Sequence, residues 1–159
     1  MKKELVKEFG MRVAQASRSE LIVIMYEIIL SDIQSAKEAF AADDTAAYEK
    51  ELVHAGRFVS ELMGSLDYRI GLSYHLMSLY IFAGRELTAA KVHKEPERLD
   101  GVAEVIETLL AGYKKVSEED VSGPVMRNTQ QVYAGLTYGR GTLNETFIDA
   151  NAAKRGFIA

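Results

Sequence analysis

The spacing of apolar residues between 48 and 66 constrains this chain more than any other feature. Tyr48, Leu52, Ala55, Val59, Leu62 and Leu66 step 4-3-4-3-4. That rhythm places one stripe along a helix and turns it toward partner helices, as in coiled-coil-like bundles. Three further segments carry a comparable rhythm. Leu21, Met25, Ile28, Ile29, Asp32, Ile33, Ala36 and Phe40 form the first, and Leu72, Leu76, Leu79, Ala83, Leu87 and Ala90 the third. Leu99, Val102, Ile106, Leu109, Tyr113 and Val116 form the fourth. No stretch alternates with period two, so no sheet is expected.

The breaks between segments are short. Ser19 stands as the N-cap of the first helix. Asp43-Asp44-Thr45 interrupts the pattern and can cap the second helix, and Pro96 stops the third and sits near the start of the fourth. Short connections between long helices make neighbours antiparallel. The expected fold is all-α: an antiparallel up-down four-helix bundle over residues 19–117. A weaker amphipathic segment precedes it at 3–16, carried by Leu5, Val6, Phe9 and Val13.

After Val116 the character changes. Ser117-Glu-Glu-Asp120 is polar and Gly123-Pro124 is a strong stop. Beyond it, glycines are spaced among Tyr133, Leu136, Tyr138, Leu143, Phe147 and Ile148. The domain reading is therefore 1–117 for the bundle and 118–159 for a glycine-containing extension whose apolar anchors dock on a bundle.

Composition narrows the function classes. At 159 residues and 48% hydrophobic content the chain is long enough for its own core and too apolar for disorder throughout. It has no cysteine, so disulfides, thiolate metal sites and cysteine nucleophiles are excluded. A net charge of -4 argues against a nucleic-acid partner. The longest apolar run, Leu21 to Tyr26, is far short of a membrane span, and Met1 to Phe9 lack the apolar core of a signal peptide. A cytoplasmic location without membrane insertion is expected.

Catalytic and metal chemistry find little support. Glu51-Leu-Val-His54 has the Glu-x-x-His spacing of di-iron bundles, but His75 and His93 follow Leu72 and Ala90 at that spacing, so the second element is missing. Ser73 lacks the setting of a nucleophile elbow and suits a helix start instead. Gly139-Arg-Gly141 suits a turn better than a phosphate loop. Arg85, Lys91, His93, Lys94 and Arg98 are interspersed with glutamates, as on a solvated face. No enzyme activity, metal or cofactor is expected. Met25, Met63 and Met77 fit core filling or an adaptable groove lining, and Tyr26, Tyr68, Tyr74 and Tyr80 suit either core or interface.

In order, the segments resemble the flagellar export chaperone family FliS. The residues that carry this are Ser17-Arg-Ser19-Glu20-Leu21 leading to Met25-Tyr26-Glu27, then His54-Ala55 through Leu62-Met-Gly-Ser-Leu66-Asp67. Leu76-Met-Ser-Leu79-Tyr80 through Leu87-Thr-Ala-Ala90 and Val102-Ala-Glu104-Val105 through Leu109-Leu110 complete it. The match covers about residues 17–116. Glu27-Ile28 stands where the family often has Asp-Gly, Tyr113 where it has a closing tryptophan, and the segment after Val116 has no counterpart. The resemblance implies a chaperone that holds the C-terminal segment of flagellin, prevents premature polymerisation and assists secretion; other flagellar export or regulatory proteins are further candidate partners. It points to Met25, Tyr26, Ile29, Ile33, Leu62, Leu66, Leu76 and Tyr80 as groove residues, each of which could instead be core. The extension then reads as a ligand supplied in cis that competes for the groove. The alternative is a structural or oligomerisation module whose extension docks on itself or swaps within a homodimer.

Overall fold

A computed structural model of the chain describes residues 3–126, with side chains from Val6 onward. Five helices follow in order: α1 (Lys3–Gln15), α2 (Arg18–Ala41), α3 (Thr45–Gly64), α4 (Leu72–His93) and α5 (Arg98–Glu119). The extension residues Tyr133, Leu136, Tyr138, Leu143, Phe147 and Ile148 lie outside the described residues. The compact unit that holds the bundle closes at Arg127.

The turns decide the topology. Residues 42–44, 65–71 and 94–97 are too few to carry the chain back along a helix, so successive helices run antiparallel. α2 packs on α3 and α5, and α4 packs on the same two, which closes a ring of four. α1 packs on α2, outside the ring. This is the expected four-helix bundle with an added N-terminal helix.

Local chemistry fixes the helix ends. Ser17, rather than Ser19, caps α2, and Glu20 completes a reciprocal capping box with it. Asp44 caps α3 by accepting from the Ala47 N–H at 2.9 Å. Ser19, freed from capping, is buried and donates its hydroxyl to Asp120 just after α5. The Val125 N–H then donates to the Ala16 carbonyl at 3.0 Å, so the chain after α5 returns to the α1–α2 junction. Gly123 allows that return, because its φ of 71° is costly for any residue with a Cβ.

The α3 seam is buried from Tyr48 to Leu62, facing Ile29, Ile33 and Ala36 of α2 and Leu76, Ala83, Leu87 and Ala90 of α4. Several positions depart from the expected pattern. Leu72 is 59% exposed, because it opens α4 at the end of the bundle, and Tyr80 supplies a buried α4 position the spacing had not marked. Val116 is also exposed, in the last turn of α5. Beneath α1, Phe9 and Ala16 join Ile24 and Ile28 in a smaller cluster, fastened by an Arg12–Glu27 ion pair at 2.6 Å.

Candidate partner-binding surfaces

Besides a hollow of 680 Å³ between α1 and α3, lined by Val6, Ala46 and His54 among others, two openings lie on the ring, and they differ in floor and rim. The first runs along the flank between α3 and α4. Two adjoining hollows of 400 and 490 Å³ share Met63, Gly84 and Thr88. Gly56 and Ser60 of α3 and Gly84 and Thr88 of α4 keep the floor low. A Cβ on Gly56 would meet open space, and one on Gly84 would reach only Val59, at 3.9 Å. Glycine inside a helix costs about 1 kcal/mol relative to alanine, so both positions sacrifice helix stability for depth. Val53, Ile81 and Val92 are exposed along the same groove. Its charged lining is mainly cationic, with Arg57, Arg85 and Lys91 beside Glu61.

The second opening lies at the end of the bundle where α2 and α4 begin. It is a cavity of 210 Å³ walled by Ile22, Leu66, Ile70, Leu72, Leu76, Tyr80 and Tyr113, together with Ser65, Ser73 and Asp67. Asp67 is its one charged lining group, ion-paired with Arg69 at 2.6 Å. Ser73 donates to the Asp67 carbonyl at 2.6 Å and pins the α3–α4 turn that forms the lip. Tyr68 and Tyr74 extend the apolar surface beyond that lip, with ring centroids 5.8 Å apart.

Buried polar side chains within the bundle include Tyr48, which donates to the Ala90 carbonyl at 2.8 Å, and two facing pairs. The Tyr26 and Tyr80 hydroxyls are 2.5 Å apart, and Tyr113 meets Tyr26 edge-on at 5.5 Å. Burial pushes the Tyr26 hydroxyl far above the ordinary tyrosine range and raises Tyr80 to about 12. Further along α2, Asp32 is fully buried, with Oδ2 at 2.6 Å from His54 Nδ1 of α3. Its Oδ1 is buried and has no hydrogen-bond partner among the described residues. Burial raises Asp32 to about 6, His54 opposes that rise, and the nearby Glu51 carboxylate adds to it. The His54 of the Glu-x-x-His element is thus turned inward to a carboxylate, and its ring rests edge-on against Phe58.

The profile of the family described as flagellar protein FliS matches residues 1–120. The chain belongs to the FliS family. Membership carries a role as a flagellar export chaperone, and chaperones of this family are not enzymes. No curated protein matches the chain. Among the described residues of this FliS protein, no helix is long and apolar enough to cross a membrane.

Six of the eight groove residues expected from the sequence are buried in the core. Tyr26, Ile29, Ile33 and Leu62 are sealed in the core, at 2% exposure or less. Leu76 and Tyr80 are core residues that also wall the end cavity, where Leu66 joins them. Met25 is half-buried against the core. The reason is geometric. A strong 3–4 period selects the stripe facing the bundle axis, whereas the residues lining the α3–α4 hollows sit on the flank beside it. Gly56, Ser60, Gly84 and Thr88 are small, so hydrophobic spacing passes over them. Glycines in two facing helix interiors were the available signal.

Proposed function

We propose that this FliS protein acts in the cytoplasm and binds the C-terminal segment of flagellin along the α3–α4 flank groove, holding it unpolymerised until export. The observation that carries this is the groove itself: an apolar trough with two glycines in its floor, open along its length and bordered by cations. Such a trough suits an amphipathic segment with an apolar ridge and carboxylates on its margins, the helix-in-groove mode. Family membership supplies the partner class. A segment that orders only when bound spends several kcal/mol of the contact energy on ordering. Large contact area is therefore compatible with release at the export apparatus.

Calorimetric titration of a flagellin C-terminal peptide into the full chain tests this. Saturable binding with a negative heat-capacity change is expected. Gly84→Leu fills the groove and removes a helix-interior glycine, so the fold is retained while binding weakens at least tenfold, which is about 1.4 kcal/mol. Equal affinity for the parent and Gly84→Leu refutes the groove assignment.

A further inference from the structure

The hollow between α1 and α3 adjoins the flank groove. Val53 and Arg57, both exposed on α3, line the two alike. Apart from Val6 of α1, every residue lining the hollow belongs to α3. At 680 Å³ it has the volume of a small-molecule site. A site that encloses a small ligand, however, draws its walls from several elements. One helix face bearing Ala46 and Val53 is instead a surface for a chain segment to lie along. Gly56 keeps the crossing between the two openings low, since a Cβ there would meet nothing within 4 Å.

Charge defines the segment. Among the described residues, Arg12, Lys37, Arg69, Lys94, Arg98 and Lys114 each enter an ion pair. Lys50, Arg57, Arg85 and Lys91 do not, and all four line the hollow or the flank groove; Lys7, Arg18 and Lys115 are the others without one. The carboxylates in the hollow are already engaged, Glu49 with Lys94 and Glu51 beside Asp32. A chain of net charge -4 thus keeps unpaired cations where its surface is hollowed and apolar. Lys50, His54 and Arg57 share one stripe of α3, and the first and last stand about 10 Å apart along its axis. Asp32 fixes the His54 ring through Nδ1 at 2.6 Å, and Nε2 has no hydrogen-bond partner among the described residues. Carboxylates about two turns apart on a helical partner match this stripe.

We infer that the partner segment seated in the flank groove continues across α3 at Gly56 into the hollow beneath α1, where an acidic stretch of it meets Lys50 and Arg57, with His54 between them. This rests on the groove reading above and adds a second subsite with its own chemistry. The flank groove takes an apolar ridge; the hollow takes carboxylates. Exposed charges of this kind act mainly on association rate and on the choice between partners. The hollow therefore selects among apolar segments that the groove alone would accept equally, and its contribution is screened by salt.

The test titrates the flagellin C-terminal peptide into the full chain and into two charge reversals. Lys50→Glu alters the hollow alone, because Lys50 is exposed and lines no other opening. Lys115→Glu makes the same change in net charge at an exposed position on α5, which lines neither opening. Lys50→Glu should bind about fivefold more weakly at about 0.05 M salt, with the loss fading by about 0.5 M. Lys115→Glu should bind like the parent. Peptides with each carboxylate replaced in turn by its amide then locate the contact: one of them loses affinity for the parent but not for Lys50→Gln. Equal affinities for Lys50→Glu and Lys115→Glu, or no peptide carboxylate coupled to Lys50, overturn the inference. Gly84→Leu keeps the two readings apart. Weakening by Gly84→Leu with none by Lys50→Glu leaves the groove and removes its continuation. Weakening by Lys50→Glu with none by Gly84→Leu refutes the continuous path, and a parent that does not bind the peptide removes both readings.

Discussion

Tyr26 and Asp32 stand on the same helix, both fully buried, and both carry a polar group into an apolar bundle. Their solutions differ. At Tyr26 two neutral hydroxyls satisfy each other across α2 and α4 at 2.5 Å, with Tyr113 closing over them. At Asp32 an ionisable carboxyl has one oxygen bonded to a half-exposed histidine and the other without a hydrogen-bond partner among the described residues, with the Glu51 carboxylate nearby. Neutral pairing costs little and holds at every physiological pH. A half-satisfied carboxylate is costly to bury, so burial favours its neutral form. These two sites therefore give the bundle one constant fastening and one that depends on pH.

Removing one partner at each place separates them most sharply. His54→Ala leaves the Asp32 carboxylate without its bonded partner and costs about 3 kcal/mol at pH 7 by urea unfolding. The cost shrinks at pH 4.5, where Asp32 is protonated. Asp32→Asn tests the titration itself. The folded carboxyl takes up its proton near pH 6 and the unfolded one near 3.8, so the folded state binds more protons between these values. Its contribution to stability is then fullest below about pH 4 and is lost as pH rises through 6. The parent should lose roughly 2 kcal/mol relative to Asp32→Asn over that window. A constant difference between the two proteins would remove Asp32 as the titrating group.

The tyrosine site should behave in the opposite way. Tyr80→Phe leaves the Tyr26 hydroxyl without its partner and costs about 1.5 kcal/mol, unchanged between pH 4 and 8. The double change with Tyr26→Phe costs less than the sum of the two single changes, because the remaining hydroxyl is no longer stranded. Tyr113→Phe, which removes a hydroxyl outside that pair, shifts stability by less than about 0.5 kcal/mol.

Sequence spacing revealed the bundle because its signal and its physics coincide. Tyr48, Leu52, Ala55, Val59 and Leu62 recur every three or four residues because they face the axis. The α2 cap was legible but misplaced, since Ser17 with Glu20 three residues later is the capping-box pattern and Ser19 is not. Asp32 fell within an apolar stripe, which signals a buried partner, but its partner on α3 depends on helix packing that no local period encodes. The flank groove was least legible. It is defined by what Gly56 and Gly84 lack, and a search for apolar side chains records such positions as blanks.

The hydrogen bond from Val125 to Ala16 has a consequence for chain connectivity. It joins the chain just before α2 to the chain just after α5, two helices that are neighbours in the ring, with N···O 3.0 Å. Topologically, the bundle is a loop interrupted at one hydrogen bond. A circular permutant of the four-helix unit, without α1, that links these ends covalently and opens the turn at 42–44 would keep the pairings among α2 to α5 and make α3 the first helix and α2 the last.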